Sequence, residues 1–344
     1  MTMRVGLIAR SDNTGLGNQT YEFFSHVKPA KTLVVTLYAK KLTEHVERYP
    51  DNPTTHTPNA AQIHRFLDGL DIVYTAETPY NHELYSFARD KGIHTIEHSN
   101  YEFLAYPQRF TEAPKPSIFA APSAWHFNDF PEPKVFLPVP IATRRFKRKK
   151  KVKGPASRFL HVIGHPATND RNGTKDLLAA LPFITSSVTV TLTCQSSKYI
   201  PEIGQLPSNV TVHKRCGDVE NYWELYDGQD VLILPRRYGG LCLPAQESIG
   251  AGMPVIMPDV SPNQWLPAQW RTPAKQSGEL MVRRSFTTYK TDPVDLAAKI
   301  DSFCDSEFYR NAMQEVDNLR EEYSWDALLP VYHQVFADTL SRQP

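Results

Sequence analysis

The feature that most constrains this chain of 344 residues is an alternation of short β-branched segments with longer amphipathic ones, which occurs twice. Such alternation is typical of an α/β fold in which helices cover both faces of a parallel sheet. Because about 150 residues make one domain, the chain is long enough for two such sheets. The sequence therefore predicts two doubly wound α/β domains that face each other across a cleft, with ligands at the carboxyl ends of the strands.

The boundaries of the predicted elements follow from the hydrophobic pattern. The predicted strands are Arg4–Ala9, Thr32–Leu37, Ile72–Thr75, His94–Glu97, Ile118–Ala121, Val135–Pro138, Phe159–Gly164, Val188–Thr193, Val210–His213, Val231–Leu234 and Pro254–Met257. The predicted helices are Asn18–His26, Thr174–Leu181, Val219–Tyr226, Pro244–Ala251, Asp295–Asp305 and Glu307–Tyr323. The predicted organisation is a first domain over 1–143, a basic linker over 144–158, a second domain over 159–325, and a closing helix over 326–344 that packs back toward the first domain.

Composition excludes several classes of protein. A hydrophobic fraction of 41% and a charged fraction of 22% exclude a disordered chain. The apolar runs are too short to span a bilayer, and the N-terminus reads as a strand without a signal pattern, so we expect a cytoplasmic protein. The four cysteines lack the spacing of a metal site and are expected to be reduced thiols: Cys194, Cys216, Cys242 and Cys304.

The net charge of +1 conceals one strongly basic segment. Eight of the ten residues from Arg144 to Lys153 are Lys or Arg, and no acidic residue occurs between Glu132 and Asp170. Such a run can neutralise several phosphates, which gives an affinity that falls as salt rises. The run therefore predicts contact with a polyanion such as DNA, and a solvated linker is the alternative.

The most informative segment runs from Asp230 to Ile256 and reads as a buried strand, a basic glycine-rich loop, a helix and another buried strand. Gly239 and Gly240 allow a ligand to approach the backbone, and the following helix offers N–H groups and a positive dipole. Arg236 and Arg237 add positive charge. These features predict a diphosphate site. A tight strand–helix turn is the alternative.

Glu247 lies one helical turn beyond that loop, where its carboxylate can accept hydrogen bonds from two adjacent sugar hydroxyls. The residues around it resemble the donor-binding segment of retaining glycosyltransferase family 4, whose members have the GT-B fold of two Rossmann-like domains. The matching positions are Leu243, Pro244, Glu247, Gly252, Pro254, Val255 and Ile256. Other segments similar to that family are Gly217–Val219 with Tyr226 and Asp230, Asp292–Ile300, and Tyr323–Asp326 with Tyr332 and Phe336.

The resemblance covers most of residues 159–340 and, more loosely, residues 1–140. It implies retaining transfer of a sugar from a nucleotide-sugar to an acceptor hydroxyl, with no prosthetic group and no metal. A UDP-sugar is the expected donor. The absence of an Asp-x-Asp pair suits a metal-independent enzyme, in which Arg and backbone N–H groups stabilise the leaving diphosphate.

The resemblance also implies roles for individual residues. The catalytic candidates are His98, Arg236 and Arg237. The donor-binding candidates are Gly15, Gly17, Arg171, Lys175, Gly217, Gly239, Gly240, Leu241, Cys242 and Glu247. The acceptor candidates rest on position and charge and not on the resemblance. They are Glu77, Asn100 and Glu102 at predicted strand ends, where loop capping is the alternative, and Lys147, Arg148, Lys149 and Lys150 in the basic run; no metal ligand is assigned.

Two departures from the family pattern bear on the donor site. The family's first glutamate, which contacts the donor sugar, falls on Gly239. The family's phosphate-binding Arg and Lys fall near His165 and Asn172, so we expect Arg171, Lys175, Arg236 and Arg237 to supply the missing positive charge.

The preferred acceptor is DNA with a hydroxymethylated pyrimidine, modified by a phage-encoded enzyme. The basic run motivates this prediction, and Asn13–Gly17 and Ser99–Phe103 look similar to phage glycosyltransferases. A buried base must be flipped out of the duplex to react, and phosphate contacts could offset that cost. A glycosyltransferase acting on protein or glycan is one alternative, and a non-catalytic nucleic-acid-binding protein on the same scaffold is another. An epimerase or phosphorylase with the same fold is a third. The donor sugar and the oligomeric state stay open.

Overall fold

The computed structural model describes residues 3–12, 14–36, 45–104, 114–147, 154–164, 169–217, 219, 221–281 and 283–342. The chain divides into two compact units. The first unit is Met1–Pro140 together with Trp325–Pro344, and the second is Ile141–Ser324.

The strands and helices alternate along the chain as the sequence predicts. The strands are β1 (Val5–Arg10), β2 (Lys31–Val35), β3 (Thr54–Thr55), β4 (Ile72–Ala76), β5 (His94–His98), β6 (Ile118–Ala121), β7 (Lys134–Phe136), β8 (Arg158–Val162), β9 (Val188–Cys194), β10 (Val210–Cys216), β11 (Val231–Ile233), β12 (Val255–Pro258), β13 (Arg271–Thr272), β14 (Ala274–Met281) and β15 (Ser285–Thr291). The α-helices are α1 (Gly15–Val27), α2 (Ala60–Leu67), α3 (Glu83–Asp90), α4 (Thr174–Ala180), α5 (Leu243–Gly250), α6 (Pro293–Phe303), α7 (Ser306–Glu322) and α8 (Trp325–Leu340).

Each unit is built on one parallel sheet. The first has seven strands in the order β3-β2-β1-β4-β5-β6-β7, and the second has six in the order β10-β9-β8-β11-β12-β13. Neighbouring strands pair in parallel throughout both sheets. The predicted fold class of two doubly wound Rossmann-like sheets is therefore confirmed.

Local sequence signals explain where several helices begin. The Thr14 hydroxyl accepts a hydrogen bond from the Gly17 amide at the start of α1, and Asn59 and Gln62 form a capping box at the start of α2. Asp292 and Asp305 cap α6 and α7 in the same way. These side chains satisfy N–H groups that have no partner within the helix.

An aromatic cluster joins α8 to the sheet of the first unit. The Phe23 ring on α1 is almost fully buried and stacks on Tyr74 of β4, with 4.0 Å between the ring centroids. Trp325, Tyr332 and Phe336 of α8 pack around the same ring at centroid distances of 6.5, 6.1 and 6.3 Å. Helix α8 overlaps the residues predicted as a closing helix, 326–344, and it packs within the first unit.

A buried carboxylate links β8 and β11, the two neighbouring strands at the centre of the second sheet. Asp230, directly before β11, accepts hydrogen bonds from the Ser157 and Arg158 amides at 3.1 and 2.9 Å. Its side chain also pairs with the Arg158 guanidinium at 3.2 Å. The hydroxyl of Tyr309 on α7 donates to the Asp230 carbonyl, so this one residue connects two strands and a helix.

The structure differs from the predicted elements in a few places. The predicted helix over Val219–Tyr226 is a short 3-10 helix, Tyr222–Tyr226, and α1 begins three residues earlier than predicted, at Gly15. The antiparallel pair β14–β15 was not predicted, because the polar segment from Lys275 to Glu279 hides its alternation. In the described part of the chain, no helix combines the length and apolar character needed to cross a membrane.

We expect Phe23→Ala to lower the free energy of unfolding by about 3–5 kcal/mol, because removing a buried aromatic ring leaves a cavity among the helices and the sheet. Phe183→Ala is the control, since the Phe183 side chain is 52% exposed and its loss should cost about 0.5 kcal/mol or less. Denaturant unfolding followed by circular dichroism measures both. Equal losses in the two variants would contradict the role assigned to the cluster.

Candidate functional site

The strand order of each sheet indicates where a ligand binds. Successive strands are added on one side of β1 and then on the other, since β1 lies between β2 and β4. In the second sheet β8 lies between β9 and β11 in the same way. Ligands of open parallel sheets bind at the carboxyl ends of strands beside such a reversal. The candidate sites are therefore the loops that follow β1 and β4 in the first unit, and β8 and β11 in the second.

Two arginines converge on a glycine in the loop after β11. Gly239 has a φ of +115°, a conformation that side-chain-bearing residues rarely adopt. A Cβ atom built at this position would overlap the guanidinium groups of both Arg171 and Arg236. A side chain at position 239 would therefore require both guanidinium groups to shift, and glycine leaves room for them as they lie.

Arg236 fixes the shape of that loop. Its side chain is buried, and its Nε and Nη2 donate to the Tyr238 and Leu241 carbonyls at 3.0 and 3.1 Å. A guanidinium retains its charge at any physiological pH. The loop consequently carries a positive charge directly against its backbone.

Arg171 is held by an aromatic stack that sequence analysis missed. Its guanidinium carbon lies 5.4 Å from the centre of the Tyr238 ring, within the range of a cation–π interaction. Tyr238 also stacks with Phe286 of β15, at 5.2 Å between the ring centroids. The sequence signal that could have indicated this stack is the position of Tyr238, between the arginine pair 236–237 and the glycine pair 239–240.

Arg237 is directed elsewhere. Its amide donates to the Arg171 carbonyl at 2.8 Å, and its carbonyl accepts from the Tyr289 amide at 2.8 Å. Its side-chain Nε donates to the Tyr289 carbonyl at 3.3 Å. Of the predicted arginines, the structure thus brings Arg171 and Arg236 together at Gly239, whereas β15 holds Arg237.

Helix α4, which comes after the β8 loop, and helix α5, which comes after the β11 loop, differ at their N-termini. Asp170 caps α4, because its carboxylate accepts from the Thr174 and Lys175 amides at 2.8 and 3.1 Å. Lys175 itself is exposed on the first turn of α4. The N-cap of α5 is Cys242, which makes no side-chain capping bond, and the first turn of α5 contains no acidic residue. The positive end of α5, beside Gly240 and Leu241, is therefore the better place for an anion.

Glu247 is partly buried on α5 and has one close partner. The Tyr226 hydroxyl donates to its Oε2 at 2.6 Å. Burial raises the pKa of Glu247 to about 7, and the hydrogen bond from Tyr226 opposes this rise because it favours the ionised form. The carboxylate thus changes its charge near neutral pH, and Tyr226 fixes one of its oxygens.

The predicted acceptor residues Glu77 and Asn100 meet at the carboxyl edge of the first sheet. Glu77 follows β4 with a φ of +60°, and its Oε1 accepts from Asn100 Nδ2 at 3.3 Å. Backbone strain of this kind is concentrated at functional sites. Glu102 lies two residues beyond Asn100 and is buried.

Below this edge, Glu97 is fully buried and sequence analysis did not assign it a role. It accepts from the Tyr85 hydroxyl at 2.6 Å and contacts Ser99 Oγ at 2.9 Å. Burial raises the pKa of Glu97 to about 7. Ser99 Oγ also donates to the Glu77 carbonyl at 3.1 Å, so this buried group supports the strained turn at Glu77.

The catalytic role predicted for His98 is not supported by its contacts. The side chain is buried, and Nε2 lies 2.8 Å from the Leu137 carbonyl while Nδ1 contacts the Tyr74 hydroxyl. Burial lowers the pKa of His98 to about 4, so the ring is neutral at pH 7. With Nε2–H donating and Nδ1 accepting, both nitrogens are engaged inside the aromatic cluster.

The glycines predicted to bind the donor have different surroundings. A Cβ atom at Gly17 would overlap the carbonyl oxygen of Asp12, so this glycine is required for close packing of α1. Gly15 is the first residue of α1. Gly217 follows β10 with a φ of +110°, and its amide donates to the Cys194 carbonyl at 3.1 Å.

The basic run is described only in part. Lys147 is exposed, whereas Arg148, Lys149 and Lys150 lie outside the described residues. Phe146 is buried, with its ring edge-on to Tyr226 at 5.9 Å between centroids, so it packs into the second unit and does not face solvent. Among the described residues no group of three or more His, Cys, Asp or Glu side chains is arranged to hold a metal ion.

We expect Glu247→Gln to change how stability depends on pH. The ordinary pKa is near 4.5, and that of folded Glu247 is about 7. Between these values the folded state retains a proton that the unfolded chain has lost, so the free energy of unfolding falls as pH rises through this window. Glutamine does not ionise, so the variant lacks this pH dependence. Relative to the wild type, its free energy of unfolding should rise by up to roughly 3 kcal/mol across this window.

Urea unfolding at about pH 4.5 and about pH 8 measures this difference. Glu202→Gln is the matched control, because Glu202 is exposed. A wild-type-to-variant gap that is the same at both pH values would exclude the raised pKa.

Comparisons with solved structures agree on the fold. The chain is similar to sucrose-phosphate synthase from Thermosynechococcus elongatus, with a TM-score of 0.61, 13% identity, and coverage of 98% of this chain and 100% of that chain. It is similar to HepE of Anabaena in complex with UDP and glucose, with a TM-score of 0.62, 11% identity, and coverage of 99% and 100%. It is also similar to the lipopolysaccharide outer core galactosyltransferase WaaB, with a TM-score of 0.60, 14% identity, and coverage of 98% and 100%.

No protein-family model matches the sequence, and no curated protein matches it. Identities of 11–14% establish the fold and no more. On this evidence the chain has the GT-B fold, as its sequence predicts.

Proposed function

We propose that this protein is a glycosyltransferase that moves a sugar from a nucleotide-sugar to an acceptor hydroxyl. The observation that carries the proposal is the convergence of Arg171 and Arg236 on Gly239, directly before the N-terminus of α5. Two guanidinium groups and the positive end of a helix are the groups that recognise a diphosphate. The GT-B fold adds support, because the similar proteins include a galactosyltransferase and a protein solved with UDP and glucose.

The donor binds to the second unit in this proposal. Its diphosphate lies against the loop from Pro235 to Leu241, and the Glu247 carboxylate accepts hydrogen bonds from the ribose hydroxyls. Tyr226 orients that carboxylate through its 2.6 Å hydrogen bond. UDP is the proposed nucleotide, in line with the UDP complex of HepE.

Arg171 and Arg236 act on the leaving group. As the bond between the sugar and the diphosphate breaks, negative charge builds up on the diphosphate oxygens, and fixed positive groups stabilise it without rearranging. Because these groups supply the charge that a cation would otherwise provide, we infer that transfer proceeds without a metal. Retention of configuration follows from the resemblance to glycosyltransferase family 4.

The acceptor binds to the first unit, at the carboxyl edge where Glu77 and Asn100 meet. DNA with a hydroxymethylated pyrimidine is the proposed acceptor, and the Arg144–Lys153 run supports it because a small neutral acceptor has no need of such charge. A phage-encoded enzyme fits this substrate. Four cysteines present as free thiols are in keeping with the proposed cytoplasmic location.

We expect UDP to bind the wild-type protein, and Arg171→Ala to weaken this binding by about tenfold or more, because the variant loses a charge-assisted contact worth about 1.5–3 kcal/mol. Arg310→Ala is the matched control, since it removes the same charge from an exposed position on α7. Titration calorimetry measures both, with and without EDTA. A folded wild-type protein that binds no nucleotide diphosphate would refute the proposed function, and loss of binding in EDTA would refute metal independence.

We expect replacement of Lys147, Arg148, Lys149 and Lys150 by Gln to lower affinity for hydroxymethylated duplex DNA. Each lost phosphate contact should reduce the slope of log K against log salt by about 0.9, up to roughly 3.6 for all four. The control replaces four exposed basic residues elsewhere: Lys28, Lys115, Lys275 and Arg310. If both variants show the same salt slope as the wild type, the acceptor is not DNA bound through this run.

A further inference from the structure

Two cysteines that are far apart in the sequence are neighbours at the edge of the second sheet. Cys194 is the last residue of β9 and Cys216 is the last residue of β10. They are direct partners in the parallel register of these two strands. Their Sγ atoms are 3.6 Å apart.

The backbone at this pair already has the spacing of a disulfide. Adjacent strands of a sheet lie about 4.7–4.9 Å apart, which is inside the Cα–Cα range of about 4.4–6.8 Å found across disulfides. Bond formation requires the two sulfurs to approach to about 2.05 Å. Since Cys216 is exposed, rotation of its side chain can supply this movement without unfolding either strand.

The two thiols differ in a way that assigns their order of reaction. Cys194 is buried, and its Sγ lies 3.1 Å from the Ser196 carbonyl, to which its thiol donates. Burial raises the pKa of the Cys194 thiol to about 11, with a further rise from the neighbouring Cys216. Because the thiolate is the nucleophile in disulfide exchange, the exposed Cys216 is the thiol that reacts first.

We infer that Cys194 and Cys216 form a reversible dithiol–disulfide site whose co-substrate is a small-molecule disulfide such as oxidised glutathione. The Cys216 thiolate attacks one sulfur of that disulfide, a mixed disulfide forms, and the first small thiolate leaves and takes up the proton that Cys216 lost. The Cys194 sulfur then attacks Cys216 Sγ, the protein disulfide forms, and the second small thiolate leaves with the proton from Cys194. Two protein thiols are oxidised to one disulfide, and the small disulfide is reduced to two thiols.

The position of the pair connects it to the donor site. The Gly217 amide, directly after Cys216, donates to the Cys194 carbonyl at 3.1 Å, so the same two strand ends hold the Gly217 turn. A covalent bond between the sulfurs draws these strand ends together and fixes that turn. We therefore expect oxidation to weaken UDP binding severalfold, a consequence that rests on the proposed function and on the donor-binding role predicted for Gly217.

The test is to incubate the folded full-length protein with oxidised glutathione, block the remaining thiols, and map the peptides by mass spectrometry. The expected product is a peptide in which Cys194 and Cys216 are linked by a disulfide. Cys242 and Cys304 should carry the thiol-blocking label, which shows that they stayed reduced, and dithiothreitol should break the link. Cys194→Ser should stop at a mixed disulfide on Cys216, whereas Cys304→Ser should behave like the wild type. A linked peptide that appears only after unfolding, or a wild-type protein that stops at the mixed disulfide, would overturn the inference.

UDP titration of the reduced and oxidised wild type separates this inference from the proposed function. If the reduced protein binds UDP and the oxidised protein binds it severalfold more weakly, the link between the thiol pair and the donor site is supported. Equal affinities in the two states would refute that link. Failure of the reduced protein to bind UDP would refute the proposed function, while the peptide map still decides whether the disulfide forms.

Discussion

The arrangement of this protein depends on the parallel pairing of its strands. In a parallel sheet all carboxyl ends lie on one edge, and a reversal of strand order leaves a crevice between two neighbouring loops at that edge. In the second unit this places the loops after β8 and β11 side by side, so Arg171 and Gly239 are neighbours although they are far apart in the sequence. In the first unit the parallel pairing of β4 with β5 brings Glu77 and Asn100 together at the carboxyl ends of these strands.

Positive charge in the second unit is fixed in place by neighbouring groups. The Arg236 side chain is bound to two loop carbonyls, and Arg171 lies against the Tyr238 ring, which Phe286 supports from β15. Groups held in this way stabilise a developing negative charge without first having to reorganise. The hairpin β14–β15 is therefore part of the candidate site, because it contributes the support for Tyr238 and holds Arg237.

Two carboxyls, the buried Glu97 and the partly buried Glu247, have pKa values raised to about 7 for the same reason. Burial disfavours the ionised form of each, and a tyrosine hydroxyl donates to each: Tyr85 to Glu97, and Tyr226 to Glu247. Their consequences differ, because Glu97 lies beneath the strained turn at Glu77, whereas Glu247 lies beside the loop that we assign to the donor. In the unfolded chain neither carboxyl has a raised pKa. Each therefore lowers the free energy of unfolding as pH rises toward 7.

The sequence by itself determined the fold class, since the hydrophobic pattern that makes a strand or a helix acts over a few residues. It also located the loop around Gly239 from local motif chemistry. Only the tertiary structure decided which arginines meet there, that both nitrogens of His98 are engaged in an aromatic cluster, and that Cys194 and Cys216 are in contact. The physical reason is that such contacts depend on strand order and register, which are set by packing between segments that are distant along the chain.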